Sequence, residues 1–574
     1  MARFRRVVSS LAAVALALTG GALAQAAPTP TPQADRADAG YTVSVGSTGS
    51  YAHPTDTPAS PYTDKDGTFY FQQSAALYGK DDPRYWDFFT GKDFDDAKRS
   101  SAISDAVNPA NDKDRNNDTT WRCNNSPTGL KATAAPAGSG YSQKNYCDLS
   151  GVWVDPDSGD WYGLVHNEFT PQPFGDGIHY DAIDYAVSTD QGRTWTVKDH
   201  VITSPYSTKR GDTGQFPHET YSYGDGDQRL FVDAASGYFY VYYGSRIVAK
   251  GGNWEDSLAH VARAPIAKKM APDSWEKWYD GAWSQPGVGG KESNMVPANE
   301  PGDTGYTPVE GDYDPANKGS VAQQIAAGEL PPKSPLFVMN IAYDAYLGQY
   351  IGAPETVNGK APQQYYVTDD LSTQKWRLAG DTGSYTSNSW YRWFLDGANK
   401  TNSTIVGKTF RSYCSIECAH GDGEYANITI DRAGAAGSGA KAVFDPAKTY
   451  RIGSGAGQTL ARSWSFKPNG DGSYRIADAA GGKLLGVDSR SKAGRAWGAK
   501  TALTAAPSAG PTVGQQWFVI PTTDAKGRAT GQYRLVNRYS GLALGLASDR
   551  GRVTAGTAPV RSSAEQTLTV TPTG

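Results

Sequence analysis

Two segments of this chain superimpose on each other and limit what it can fold into. GVWVDPDSGDWYGLVHNE, from residue 151, and RLFVDAASGYFYVYYGSR, from residue 229, align at an offset of 78 residues. The alignment sets Asp155 over Asp233 and Ser158-Gly159 over Ser236-Gly237. Each reads as strand, turn and strand, with the acidic residue and the glycine supplying the turn. Looser copies are SPYTDKDGTFYFQQS at 60, SPLFVMNIAYDAYLGQYI at 334 and WYRWFLDGANKTNSTIVGKTF at 390. About five β-units over residues 41–432, with no long stretch of helical period, predict an all-β fold. The expected architecture is a β-propeller of five blades, each burying its faces only against its neighbours.

The ends of the chain read differently. Arg3, Arg5 and Arg6 precede an apolar run and the small residues ALAQAAP, which predicts a cleaved secretory signal over residues 1–26. Residues 27–40 are a Pro/Ala-rich spacer expected to be disordered. Nothing later is apolar for long enough to span a bilayer. Without those three arginines 52 basic residues face 59 acidic ones, and no Lys/Arg cluster occurs. Nucleic-acid binding is therefore not expected, and the exported protein is expected to be a monomer outside the membrane. Four cysteines suit an oxidising compartment and divide by position into Cys123 with Cys147 and Cys414 with Cys418.

STDQGRTW at 188–195 fits the pattern S-x-D-x-G-x-x-W at Ser188, Asp190, Gly192 and Trp195. This resembles the Asp-box of sialidases and other propellers. The resemblance implies that the Asp caps an outer turn of a blade and the Trp packs between blades, away from substrate. TDDLSTQKW, ending at Trp376, looks like a second copy. DLSGVWVDPDSGDWYGL at 148 and DQRLFVDAASGYFYVYYG at 227 resemble the blade starts of five-bladed glycosidases such as glycoside hydrolase family 43. By that resemblance Asp148 and Asp227 occupy the mouth of the funnel.

After a small-residue linker at 433–441, residues 442–574 carry YRIGSGAGQTL at 450, YRIADAAGGKLLGV at 474, YRLVNRYSGLALGL at 533 and QQWFV at 515–519. These resemble the lobes of ricin-B-type β-trefoil lectin modules, which implies glycan binding. Asp488 and Asn537, in matching loops, are the polar candidates for that trefoil, whereas Trp517 reads as core.

Under the 78-residue offset His166 falls on Gly244 and Glu168 on Arg246, which predicts that His, Glu and Arg side chains border one cavity. GIHYDAIDYA adds His179, Tyr180 and Asp181, and FPHETYSY adds His218 and Glu219. Cleavage of a glycosidic bond needs one carboxylic acid and one carboxylate. The expected catalytic carboxylates are Asp148, Glu168, Asp227 and Glu219. His166, His179, Tyr180, Asp181, His218 and Arg246 are the expected substrate-binding groups, with Arg246 suited to an acidic sugar. No cofactor is required; calcium near the axis is compatible with the fold, but no ligand set is readable. G-x-S-x-G, H-E-x-x-H and P-loop patterns are absent. The expected function is hydrolysis of a plant or microbial polysaccharide. The alternatives are a polysaccharide lyase using His and Tyr beside a uronate, and a glycan-binding protein without catalysis.

Overall fold

A computed structural model describes residues 40–79, 81–132, 144–169, 180–209, 212–250, 254–355, 359–388, 390–433, 440–561 and 563–573. The expected signal segment, His179 and most of the linker at 433–441 lie outside the described residues. Among the described residues no helix is long and apolar enough to cross a membrane.

The turn acids of the repeat organise the ring. Asp64, Asp155, Asp233, Asp344 and Asp396 each end or follow the innermost strand of a blade. The carbonyl of each accepts a backbone N–H three or four residues on, from Gly67, Gly159, Gly237, Gly348 and Lys400. All five donors have positive φ, between 55° and 83°, and in four blades that need is met by glycine.

Five blades of mainly antiparallel strands result. Blade I is Ser60–Thr63, Phe69–Ala76, Arg84–Gly91 and Lys98–Arg99. Blade II is Asn145–Val154, Trp161–Phe169, Tyr180–Ser188 and Thr196–Ile202. Blade III begins Thr220–Val232, Tyr238–Ala249 and Trp254–Pro265, then adds Glu276–Tyr279 and Ala282–Pro286. Blade IV is Asn340–Asp344, Gln349–Ala353, Ala361–Thr368 and Arg377–Ser387. Blade V is Trp390–Asp396, Thr409–Ile416 and Glu424–Arg432, and its outer strand is Tyr41–Ser50, so the ring is closed by the first and last strands of the propeller segment.

Aromatic residues fill the spaces between blades. In the STDQGRTW turn, Ser188 Oγ donates to Asp190 Oδ1 at 2.9 Å and Gly192 N–H donates to Ser188 Oγ at 2.8 Å. Trp195 is 3% exposed and packs on Trp86 and Phe88 of blade I. Cys123–Cys147 and Cys414–Cys418 are both disulfides.

The C-terminal strands, from Tyr450–Ser454 to Leu568–Pro572, form one sheet around Ile452, Trp464, Phe466, Ile476, Trp517 and Leu544. This module sits on the turn end of the ring and touches all five innermost turns. Lys492 pairs with Asp66 at 2.7 Å in blade I, and Arg561 with Asp157 at 3.2 Å in blade II. Arg534 donates to the Ala234 carbonyl in blade III, and Gly472 lies too close to the Tyr346 backbone of blade IV to carry a side chain. Arg538 forks onto Asp396 in blade V at 2.8 and 3.0 Å, with both side chains nearly inaccessible. Arg538→Ala leaves the buried Asp396 carboxylate without its cation, a loss of about 3–5 kcal/mol; a lowered urea midpoint, with Lys492→Ala nearly unchanged, is the expected result.

Candidate active site

The innermost strands run toward the turns, so their starting residues gather at the opposite end, where the second strands finish. Starting residues supply Asp56 just ahead of blade I, Asp148 in blade II and Tyr391 in blade V, and the middle of the long Thr220–Val232 strand supplies Asp227 in blade III. The ends of the second strands supply Tyr78 just past blade I, Glu168 in blade II, Arg246 in blade III and Glu355 just past blade IV. Asp227 and Tyr391 adopt left-handed backbone, with φ of 55° and 58°. Such strain costs about 1–3 kcal/mol each and is typical of functional positions.

Two cations hold the carboxyl groups together. Arg246 donates to Asp227 Oδ2 and, at 3.3 Å, to Asp181 Oδ2, and its guanidinium lies 4.4 Å from the Trp254 ring centroid. His166 lies 3.4 Å from Asp181 and 3.9 Å from Asp227. The Tyr78 hydroxyl donates to Glu168. Arg229 donates to Glu355 at 2.6 Å and faces the Tyr391 ring. Asp148 is 4% exposed, and its Oδ1 has no hydrogen-bond partner among the described residues.

This environment separates the protonation states. Burial opposes ionisation of Asp227, but Arg246, His166 and Arg229 outweigh it and hold the carboxyl at about 2. Burial, with Asp181 and Asp227 nearby, raises Glu168 to about 8 against the pull of His166. Burial and the Asp227 charge raise Asp56 to about 6, and burial with the Asp56 charge raises Asp148. Burial also raises Asp181. It disfavours the charged imidazole of His166, yet Asp181 and Asp227 lift that group to about 10. An acid inclined to keep its proton, Glu168, thus shares the site with a carboxylate held ionised, Asp227, a division that acid–base catalysis can use.

The structure brings together Asp148, His166, Glu168, Asp181, Asp227 and Arg246. It excludes others. Glu219 is exposed and accepts the Gly319 N–H at 2.7 Å, because it precedes the Thr220–Val232 strand and lies beyond the rim of the funnel. His218 is half-buried beside it and makes no contact with the carboxyl cluster. Tyr180 is 2% exposed and packs with Phe169, Ala182 and Val248, a core residue rather than a substrate contact. Arg246 has its charge matched by two aspartates, which removes it as the site for an acidic sugar. In the C-terminal module Asn537 is fully buried and donates to the carbonyls of Gly514 and Gln516, so it shapes a turn and binds no sugar. Asp488 is half-exposed and paired with Arg490 at 2.9 Å. Among the described residues no group of three or more His, Cys, Asp or Glu is placed to hold a metal ion.

Asp56, Tyr78 and Tyr391 are additions to the site. Asp56 precedes its turn acid Asp64 by eight residues, Asp148 precedes Asp155 by seven and Asp227 precedes Asp233 by six. That spacing was readable; nothing in the sequence marks the two tyrosines. The His166 shift sets a direction for stability. A base raised from near 6.5 to about 10 adds stability that is fully present below 6.5 and is lost as the pH rises through 10. Urea midpoints of wild type should fall across that window, and His166→Asn should flatten the fall.

Comparison with curated proteins finds no match. Several solved structures are similar over most of their own length. A glycoside hydrolase family 43 β-1,3-galactosidase is 11% identical, with 91% of this chain and 94% of that chain covered and a TM-score of 0.29. A family 32 β-fructofuranosidase of Bombyx mori is 12% identical, with 91% and 93% covered and a TM-score of 0.32. An endo-arabinase of Bacteroides thetaiotaomicron is 10% identical, with 66% and 94% covered and a TM-score of 0.30. Residues 460–561 match the family described as "Ricin-type beta-trefoil lectin domain-like". The C-terminal module of this propeller protein is therefore a ricin-B-type β-trefoil lectin-like domain.

Proposed function

We propose that the protein is an exported glycoside hydrolase acting on a polysaccharide, with Glu168 as general acid and Asp56 as the carboxylate that attacks the sugar or activates water. The observation that carries this reading is the convergence of five carboxyl groups, Asp56, Asp148, Glu168, Asp181 and Asp227, at one end of the ring with their protonation states divided. Asp56 at about 6 is ionised at neutral pH, while Glu168 at about 8 keeps its proton for the leaving oxygen. Asp227 is bound to Arg246 and acts as a fixed negative charge, positioning His166 and Arg246. Asp148, buried and partly unpartnered, is suited to a substrate hydroxyl. A lectin-like module on the same chain supports a glycan substrate.

Hydrolysis fits these groups better than β-elimination. His166 is charged between two aspartates and cannot serve as a base, and Arg246 is not free to neutralise a uronate. Incubation with arabinans, galactans and uronic-acid polymers should release reducing ends without the ultraviolet absorbance of unsaturated uronides. Unchanged polymers would remove the hydrolase reading, and unsaturated products would replace it with a lyase. Activity on the responsive polymer should be bell-shaped in pH, with limbs near 6 and 8. Asp56→Asn should lose the acid limb and Glu168→Gln the alkaline limb, each lowering kcat by about 10²–10⁴-fold.

A further inference from the structure

Blade III carries a second cavity, of about 410 Å³, on the other side of the strand that supplies Arg246. Ser245 and Arg246 are consecutive in Tyr238–Ala249 and project to opposite faces of the sheet. Arg246 meets the carboxyl cluster, whereas Ser245 lines the cavity with His260, Glu292 and Asn294. The rings of Tyr206, Tyr279 and Tyr313 line the same cavity. A volume in the range of small-molecule sites, about 300–1,000 Å³, lined by both aromatic rings and hydrogen-bonding groups, suits a ring that carries hydroxyls.

The polar wall is built from buried charge. Lys277, with a fully buried side chain, donates to Glu292 at 2.5 Å and to Asp225 at 3.1 Å, and Tyr243 donates to the same Glu292 oxygen at 2.8 Å. The other Glu292 oxygen lies 3.8 Å from His260 Nε2. Because His260 Nδ1 contacts the Ser293 carbonyl at 2.9 Å, it carries the ring proton, and Nε2 accepts from Ser245 Oγ at 2.8 Å. Apolar residues would stabilise this position at least as well as a buried ion pair. A wall of oriented donors and acceptors is thus unexplained by stability and explained by a hydroxyl-rich ligand.

The charge of the lining chooses among sugars. Glu292 is already paired with Lys277, and Asp312 and Asp314 line the cavity together with one further cation, Lys291. We propose that the cavity is an accessory subsite for a neutral glycosyl unit, from which uronates are excluded. It rests on the carbohydrate reading of the cluster and extends it to a second contact one strand away.

The test uses free monosaccharides, which contain no bond to hydrolyse, so its result stands whatever the cluster does. The full-length mature protein is titrated with L-arabinose, D-galactose, D-glucose and D-galacturonate by ligand-observed NMR. Val309→Trp and Gln215→Trp place bulk at two exposed rim positions, and thermal midpoints confirm folding. The expected result is that both variants lose one site for at least one neutral sugar, or weaken it tenfold or more, leaving galacturonate binding as in wild type. Neutral-sugar binding equal to wild type in both variants overturns the proposal, and so does a lost site that prefers galacturonate.

Discussion

Six carboxyl groups crowd one end of the ring, and they are tolerable there because Arg246, His166 and Arg229 stand among them. Arg246 ties Asp227 of blade III to Asp181 of blade II, and His166 bridges the same two acids. Breaking either contact would leave charge buried without a partner, a far larger penalty than losing a surface pair. The cations cannot neutralise every acid, so burial keeps Glu168, Asp148 and Asp181 inclined to hold protons. One arrangement thus supports both the junction of two blades and the chemistry between them. The same junction is drawn tight in the backbone, where Asp181 pairs in parallel with Gly224 and links the two sheets into one.

Much of this was legible because a propeller repeats its geometry. The turn acids and glycines appear at matching places in the copies, and the offset that aligns Asp155 with Asp233 puts Glu168 and Arg246 at equivalent places late in the second strands of blades II and III. Proximity along the chain misled where no repeat supported it. Glu219 and His218 resemble a catalytic pair in composition, but they lie one step outside the strand that turns its residues inward. Asn537 stood in a plausible ligand loop and is consumed by backbone carbonyls. Tyr78 and Tyr391 reach the site through loop paths and a left-handed residue, which no local pattern announces.

The lectin-like module is pinned to the ring. Its basic residues spend their charge on the turns of the ring: Lys492 on blade I, Arg561 on blade II and Arg538 on blade V. From Asp148 to its turn acid the strand covers roughly 20 Å, at about 3.3 Å per residue. The module therefore covers the face opposite the carboxyl cluster.

The outer strand of blade V comes from the N-terminus, and Tyr41 reaches Arg432 across 391 positions of sequence. Such a contact can form only after everything between has been made. A nascent chain emerging residue by residue carries its first strand unpaired until the fifth blade is complete, and closing so large a loop is slow.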